Sequence, residues 1–236
     1  MSSEEVAKRT DVTMKMAHAA GESAESVSSY MTAIWNNFDD GTKSLEYYGD
    51  VITKLGAATA ASSEEIAAGL EKFVSIGETI GLSYEYATAA VTTIVDQTRQ
   101  SADTVGTALK TIFARLQGLS LGETLEDGVE LNKYSAALEK VGVDVLDVTG
   151  NLRDADDIIK DLGETWDDLS RAQQTAVAQT VAGTRQYTQL MALMNNFDSF
   201  EQNVDMAADS EGTLKEQQAI YEESWEAASD RVTASL

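Results

Sequence analysis

"SSEEIAAGLEKFVSIGETIGLSYEYATAAVTTIVDQTRQSADTV", residues 62–105, decides the fold. Three times in this stretch a serine is followed two places on by an acid, and two places later by an apolar residue: at Ser62, Ser83 and Ser101. A serine hydroxyl at an N-cap accepts a hydrogen bond from an orphan N–H of the first turn, worth about 1 kcal/mol. An acid in that turn meets the positive end of the helix dipole. The apolar residues that follow keep helical spacing: Ile66, Leu70, Phe73 and Val74 after Ser62, and Val105, Leu109, Ile112 and Phe113 after Ser101. Each serine therefore predicts the start of an amphipathic helix.

The same pattern stands at Ser2, Ser23 and Ser44. Ser23, Ser62 and Ser101 are 39 residues apart, as are Ser44 and Ser83, which predicts a repeating unit of two helices in the size range of helical-repeat arrays. An ordinary irregular bundle with coinciding caps gives the same pattern. The helices are expected to run about 13 to 17 residues, to end at breakers such as Gly41, Gly56, Gly81 and Gly118, and to pack as antiparallel hairpins. Residues 1–118 thus read as a helical-repeat part with six capped helices.

Residues 119–236 read as a second helical part. A loop is expected over 119–131, then a short helix from about Asn132. Val143, Val145 and Val148 alternate with Asp144 and Asp147 before Thr149-Gly150-Asn151, which predicts a tiny β-hairpin near 143–153. Asp154 is placed to cap a helix carrying Ile158, Ile159, Leu162 and Trp166, and "SRAQ" from Ser170 is a capping box. That box opens the segment containing "QTVAGTRQYTQLMALMNN", residues 179–196, where Val177, Val181, Thr184, Leu190, Met191 and Met194 fall near one stripe. Gly183 there either admits a neighbour or permits a bend. One more helix follows Gly212. The expected fold class is all-α: antiparallel helical hairpins in an irregular bundle or short helical-repeat array, with that one small hairpin.

Composition supports this and narrows function. The 236 residues are 43% apolar, enough for a sizeable core. Proline is absent where average usage of about 5% would place roughly a dozen, a bias toward uninterrupted helix. The formal charge of −23, from 40 acids against 17 bases, repels phosphate backbones and argues against direct nucleic-acid binding. No cysteine is present, so disulfides, thiolate metal sites and cysteine nucleophiles are excluded. No apolar run approaches the ~18 residues of a membrane span. "MSSEEV" opens directly on a helix start and "YEESWEAASDRVTASL" stops in helical register, as expected for one continuous piece of a longer chain.

Catalysis finds little to work with. His18 is the one histidine, so no triad, zinc cluster or proton relay has a second member, and a lone helical histidine reads as packing or surface. The acid pairs Glu126/Asp127, Asp156/Asp157, Asp167/Asp168 and Glu222/Glu223 read as solvated faces, because adjacent helical residues diverge by about 100°. A calcium reading of Asp144 to Asp157 lacks the spacing of a calcium loop. Phosphate-binding and dinucleotide glycine motifs are missing. Arg99, Arg115, Arg153 and Arg185 are expected to pair with carboxylates, and Arg185 and Gly183 read as packing devices. No catalytic, cofactor-binding or metal residue is assigned, and no cofactor is expected.

Several strings occur together: "YMTAIWNNFDDGTKSLEYYGDVITKLGAATAASSEEIAAGLEKF", the run from Thr98 to Gly128, "VAQTVAGTRQYTQLMALMNNF" and "YEESWEAASDRV". They resemble the core region of phage tail tape measure proteins, found in tailed phages and prophages of Gram-positive bacteria. The resemblance implies a non-enzymatic structural protein of the virion, which takes part in tail assembly, occupies the lumen of the tail tube and determines tail length. It also implies assembly in the host cytoplasm, with the tail tube protein, tail assembly chaperones and tail-tip proteins as partners. The residues themselves leave a second reading, a helical-repeat adaptor that binds a partner protein on a concave face. Capped helices and glycine breaks predict a compact module rather than one long rod.

Overall fold

In the computed structural model, which describes residues 2–77, 80–120 and 129–223, the six serines sit at six helix starts. Ser2, Ser23, Ser44, Ser62, Ser83 and Ser101 each accept through Oγ from the backbone N–H three residues on, at 3.1 to 3.3 Å. They precede α1 (Ser3–Ala20), α2 (Ala24–Phe38), α3 (Leu45–Ala58), α4 (Ser63–Glu71), α6 (Tyr84–Thr98) and α7 (Ala102–Ser120), with the single turn α5 (Val74–Gly77) between α4 and α6. At Ser62 the cap is reciprocal, since Glu65 Oε2 accepts from the Ser62 N–H at 2.9 Å. The expected stripes are buried: Ile66, Leu70, Phe73 and Val74 in one, Val105, Leu109, Ile112 and Phe113 in the other.

Two of the four expected breakers do not break. α3 runs through Gly56 to Ala58, and α7 runs through Gly118. At Gly56 the missing side chain admits the next helix instead, because a Cβ there would lie 2.4 Å from Ser63 Oγ and 2.9 Å from Ser63 N. The crossing of α4 and α7 uses the same device. A Cβ on Gly106 would stand 2.4 Å from the carbonyl oxygen of Gly69.

The second stretch supplies α8 (Val129–Glu139), α9 (Ala155–Trp166), α10 (Arg171–Val181), α11 (Tyr187–Met194), α12 (Phe197–Ala208) and α13 (Thr213–Glu223). Of the loop expected over 119–131, residues 119–120 belong to α7 and 129–131 to α8, and 121–128 lies outside the described residues. The hairpin near 143–153 reduces to one antiparallel bridge, Leu146 with Leu152. Val143 and Val145 are buried as the alternation requires, but Val148 stands fully exposed at the tip. Asp147 Oδ1 accepts from the N–H groups of Thr149 and Asn151 at 2.8 and 2.9 Å and closes the turn.

The core is organised around α6. All nine residues from Ala87 to Val95 are buried, the pattern of a helix enclosed on every side. Its hydroxyls are satisfied within the core: Thr88 and Thr92 donate to the carbonyls of Tyr84 and Thr88, and Thr93 Oγ1 accepts from Asn203 Nδ2 at 2.8 Å. Helices α3, α4, α7, α11 and α12 pack on α6, and α13 packs on α1 and α3. The architecture is an all-α bundle with no strand among the described residues.

Candidate functional site

The residues that sequence reasoning singled out for chemistry are dispersed. His18 stacks on Tyr221, ring centroids 4.7 Å apart and 10° from parallel, which joins α1 to α13. Of the acid pairs, Glu126/Asp127 lies outside the described residues, and Asp157, Asp167, Asp168, Glu222 and Glu223 are not buried. Asp156 departs from the expected solvated face. Both its carboxylate oxygens accept from the backbone N–H of Ser83, at 3.2 and 3.3 Å. Burial pushes its carboxyl up to about 6, against those two hydrogen bonds, with Glu85 and Asp154 adding like charge. Asp154 occupies the N-cap of α9 without a capping hydrogen bond. Its carboxylate instead lies against Gly81, where φ is +62° and a Cβ would meet Oδ1 at 2.1 Å. The start of α9 is thereby fitted to the start of α6.

One of the arginines has the expected carboxylate partner, whereas Arg99 and Arg115 reach backbone carbonyls. Arg153 pairs with Asp161 at 2.6 Å and donates to the Asp144 carbonyl at 2.8 Å. Arg99 instead donates to the carbonyl of Ala60, and Arg115 Nη1 donates to the carbonyls of Thr180 and Val181 at 3.3 and 3.0 Å. The last carbonyls of a helix carry the negative end of its dipole, so a cation beside them substitutes for a carboxylate partner. Arg185 is exposed, and the packing role expected of it belongs to Arg115. Gly183 does both things foreseen for it: φ is +82°, which separates α10 from α11, and a Cβ would lie 2.6 Å from the Arg115 guanidinium. Ser170 and Gln173 form the expected capping box, and Val177, Val181, Leu190 and Met194 are buried while Thr184 is exposed.

Asp50 is the buried acid that sequence reasoning did not single out. It is 3% exposed on α3, and its oxygens accept from the N–H groups of Gly212 and Leu214 at 3.0 and 2.7 Å. The available signal was an acid inside an apolar helical run, "YYGDVI". Asp50, Asp156 and Arg115 share one kind of work: each satisfies the end of a distant helix, so they fasten elements together.

The surface adds open grooves without converging chemistry. One of 520 Å³ runs between the start of α1 and residues 39–46, and its carboxylates have partners: Lys8 with Glu4 at 3.0 Å, Arg9 with Glu5 at 3.1 Å, Lys15 with Asp11 and Glu46 at 2.7 Å each, and the Gly41 N–H with Asp39 at 3.0 Å. Among the described residues no three His, Asp or Glu side chains gather in a way that could hold a metal ion, and no helix is long and apolar enough to cross a membrane.

A family model described as phage-related minor tail protein matches residues 1–183. The chain belongs to the phage-related minor tail protein family. The matched region takes in α1 to α10 and ends at Gly183, the turn held by Arg115. No solved structure matches the chain. As a phage-related minor tail protein it has a structural role in the tail of the virion, among other tail components. Asp50, Asp156 and Arg115 suit that role, since each holds one helix to another.

Proposed function

We propose that this minor tail protein is the core-region module of a tape measure protein, a non-enzymatic scaffold that takes part in tail assembly and determines tail length inside the tail tube. The observation that carries the reading is the set of short, separately capped helices, several joined at their ends by the polar side chains Asp50, Asp156 and Arg115, in a chain of this family. In this reading residues 1–118 form a helical-repeat part with a two-helix unit of 39 residues, and residues 119–236 a second helical part. The acidic surface, with a formal charge of −23, keeps the module soluble in the host cytoplasm and offers the tail tube protein, assembly chaperones and tail-tip proteins a charged face. The compact form is the assembly form, and it lengthens when the chain is drawn into the tube lumen.

An in-frame deletion tests this. Removing residues 62–100, one unit, from the phage that encodes the chain should shorten its tails by up to about 60 Å, at 1.5 Å per helical residue, as measured by electron microscopy. Tails of unchanged length in virions carrying the shortened chain would contradict it.

A further inference from the structure

The last described helix is among the less deeply buried ones. Of the eleven residues of α13 only Thr213 and Leu214 are buried, and Ile220 is 63% exposed on its outer side. It packs on both α1 and α3, and two sets of contacts there are specific. At the first turn both oxygens of Asp50 accept from the helix's N-terminal N–H groups, and Leu214 and Met16 both lie against Gly49. A Cβ on Gly49 would lie 2.8 Å from Met16 Sδ and 3.4 Å from Leu214 Cδ2, so the flat spot at Gly49 makes this seat. Two turns on, Tyr221 stacks on His18. The chain just before α13 is fixed: Ala207 and Ser210 are fully buried. Between that anchor and the helix stands Gly212, at φ +88°.

We infer that α13 is a releasable strap: it swings off the face of α1 and α3 about Gly212 while the bundle around α6 stays folded, and the hydrogen bonds to Asp50 are the latch. The physical ground is unequal stability. A helix with few buried apolar contacts opens at a lower free energy than the enclosed core, and here one side chain, Asp50, accepts from both the Gly212 and the Leu214 N–H. This goes beyond the tape measure reading and does not require it.

The chain has no cysteine, so single thiol probes report cleanly. Met16→Cys places a thiol beneath the strap, and Val91→Cys places one in α6, where the native side chain is 0% exposed. Under native conditions the thiol at position 16 should be labelled at least ~10-fold faster than that at position 91. Asp50→Asn, which sets an amide donor against a backbone donor, should accelerate labelling at 16 by a further ~5-fold or more and leave position 91 within about twofold. Hydrogen exchange on the unsubstituted chain gives an independent check, with α13 amides exchanging well ahead of those of α6. Equal labelling at both positions, no response to Asp50→Asn at position 16, acceleration at both positions together, or loss of the folded core in Asp50→Asn would overturn the strap. Equal exchange of α13 and α6 in the unsubstituted chain would overturn it as well.

Discussion

Asp156 shows how one carboxylate records the conflict between fastening and burial. It holds the Ser83 N–H while burial, Glu85 and Asp154 press its carboxyl up to about 6 from the ordinary 3.8. A folded-state value above the unfolded one means that the native state binds the proton more tightly. Stability from this group is therefore complete below about pH 4 and is lost as pH rises through about 6. Asp156→Asn keeps an oxygen acceptor for Ser83 and removes the charge. The variant should melt at a higher temperature than the parent at pH 7, and its gain on moving from pH 7 to pH 5 should be smaller. Unchanged pH dependence would mean that Asp156 is solvated. Neither this residue nor Asp50 was legible in the sequence, because an acid near a helix start or on a helix has the same one-letter signature whether water or a distant backbone N–H receives it. The function of Arg115 was hidden for the same reason, as its acceptors lie 65 and 66 residues away.

Elements were legible where their cause is local. A serine cap and an acid in the next turn act within four residues, and each of the six serine patterns stands at a helix start. Ends were harder to read, since a glycine looks alike whether it stops a helix or admits one. Gly41 and Gly81 have φ of +80° and +62°, while Gly56 and Gly106 lie inside helices at close crossings. The hairpin near 143–153 is present as a single bridge, flanked by the backbone hydrogen bonds Asp147 N–H to Asn151 and Arg153 N–H to Val145. The crossing of α4 and α7 offers the clearest test of an element contact. Gly106→Ala would drive a methyl group into the Gly69 carbonyl, a backbone atom that no rotamer change can move, and should destabilise by about 1–3 kcal/mol. A urea unfolding midpoint equal to the parent's would show that α4 and α7 do not approach this closely.

The whole molecule combines these locally specified helices into a bundle through contacts that no single stretch encodes. α6 is enclosed by helices from both ends of the chain, with α12 bonded to it through Asn203 and Thr93. The family placed the chain in a phage tail; the fold accounts for how it can be a stable body there with no proline, no cysteine and a formal charge of −23. Self-repulsion of that charge opposes compaction, so compaction is the claim most exposed to failure. Small-angle scattering of the isolated 236-residue chain in physiological salt measures it directly. A folded bundle of this length predicts a radius of gyration of roughly 18 to 20 Å. A rod approaching the roughly 350 Å of a continuous helix at 1.5 Å per residue would contradict the account.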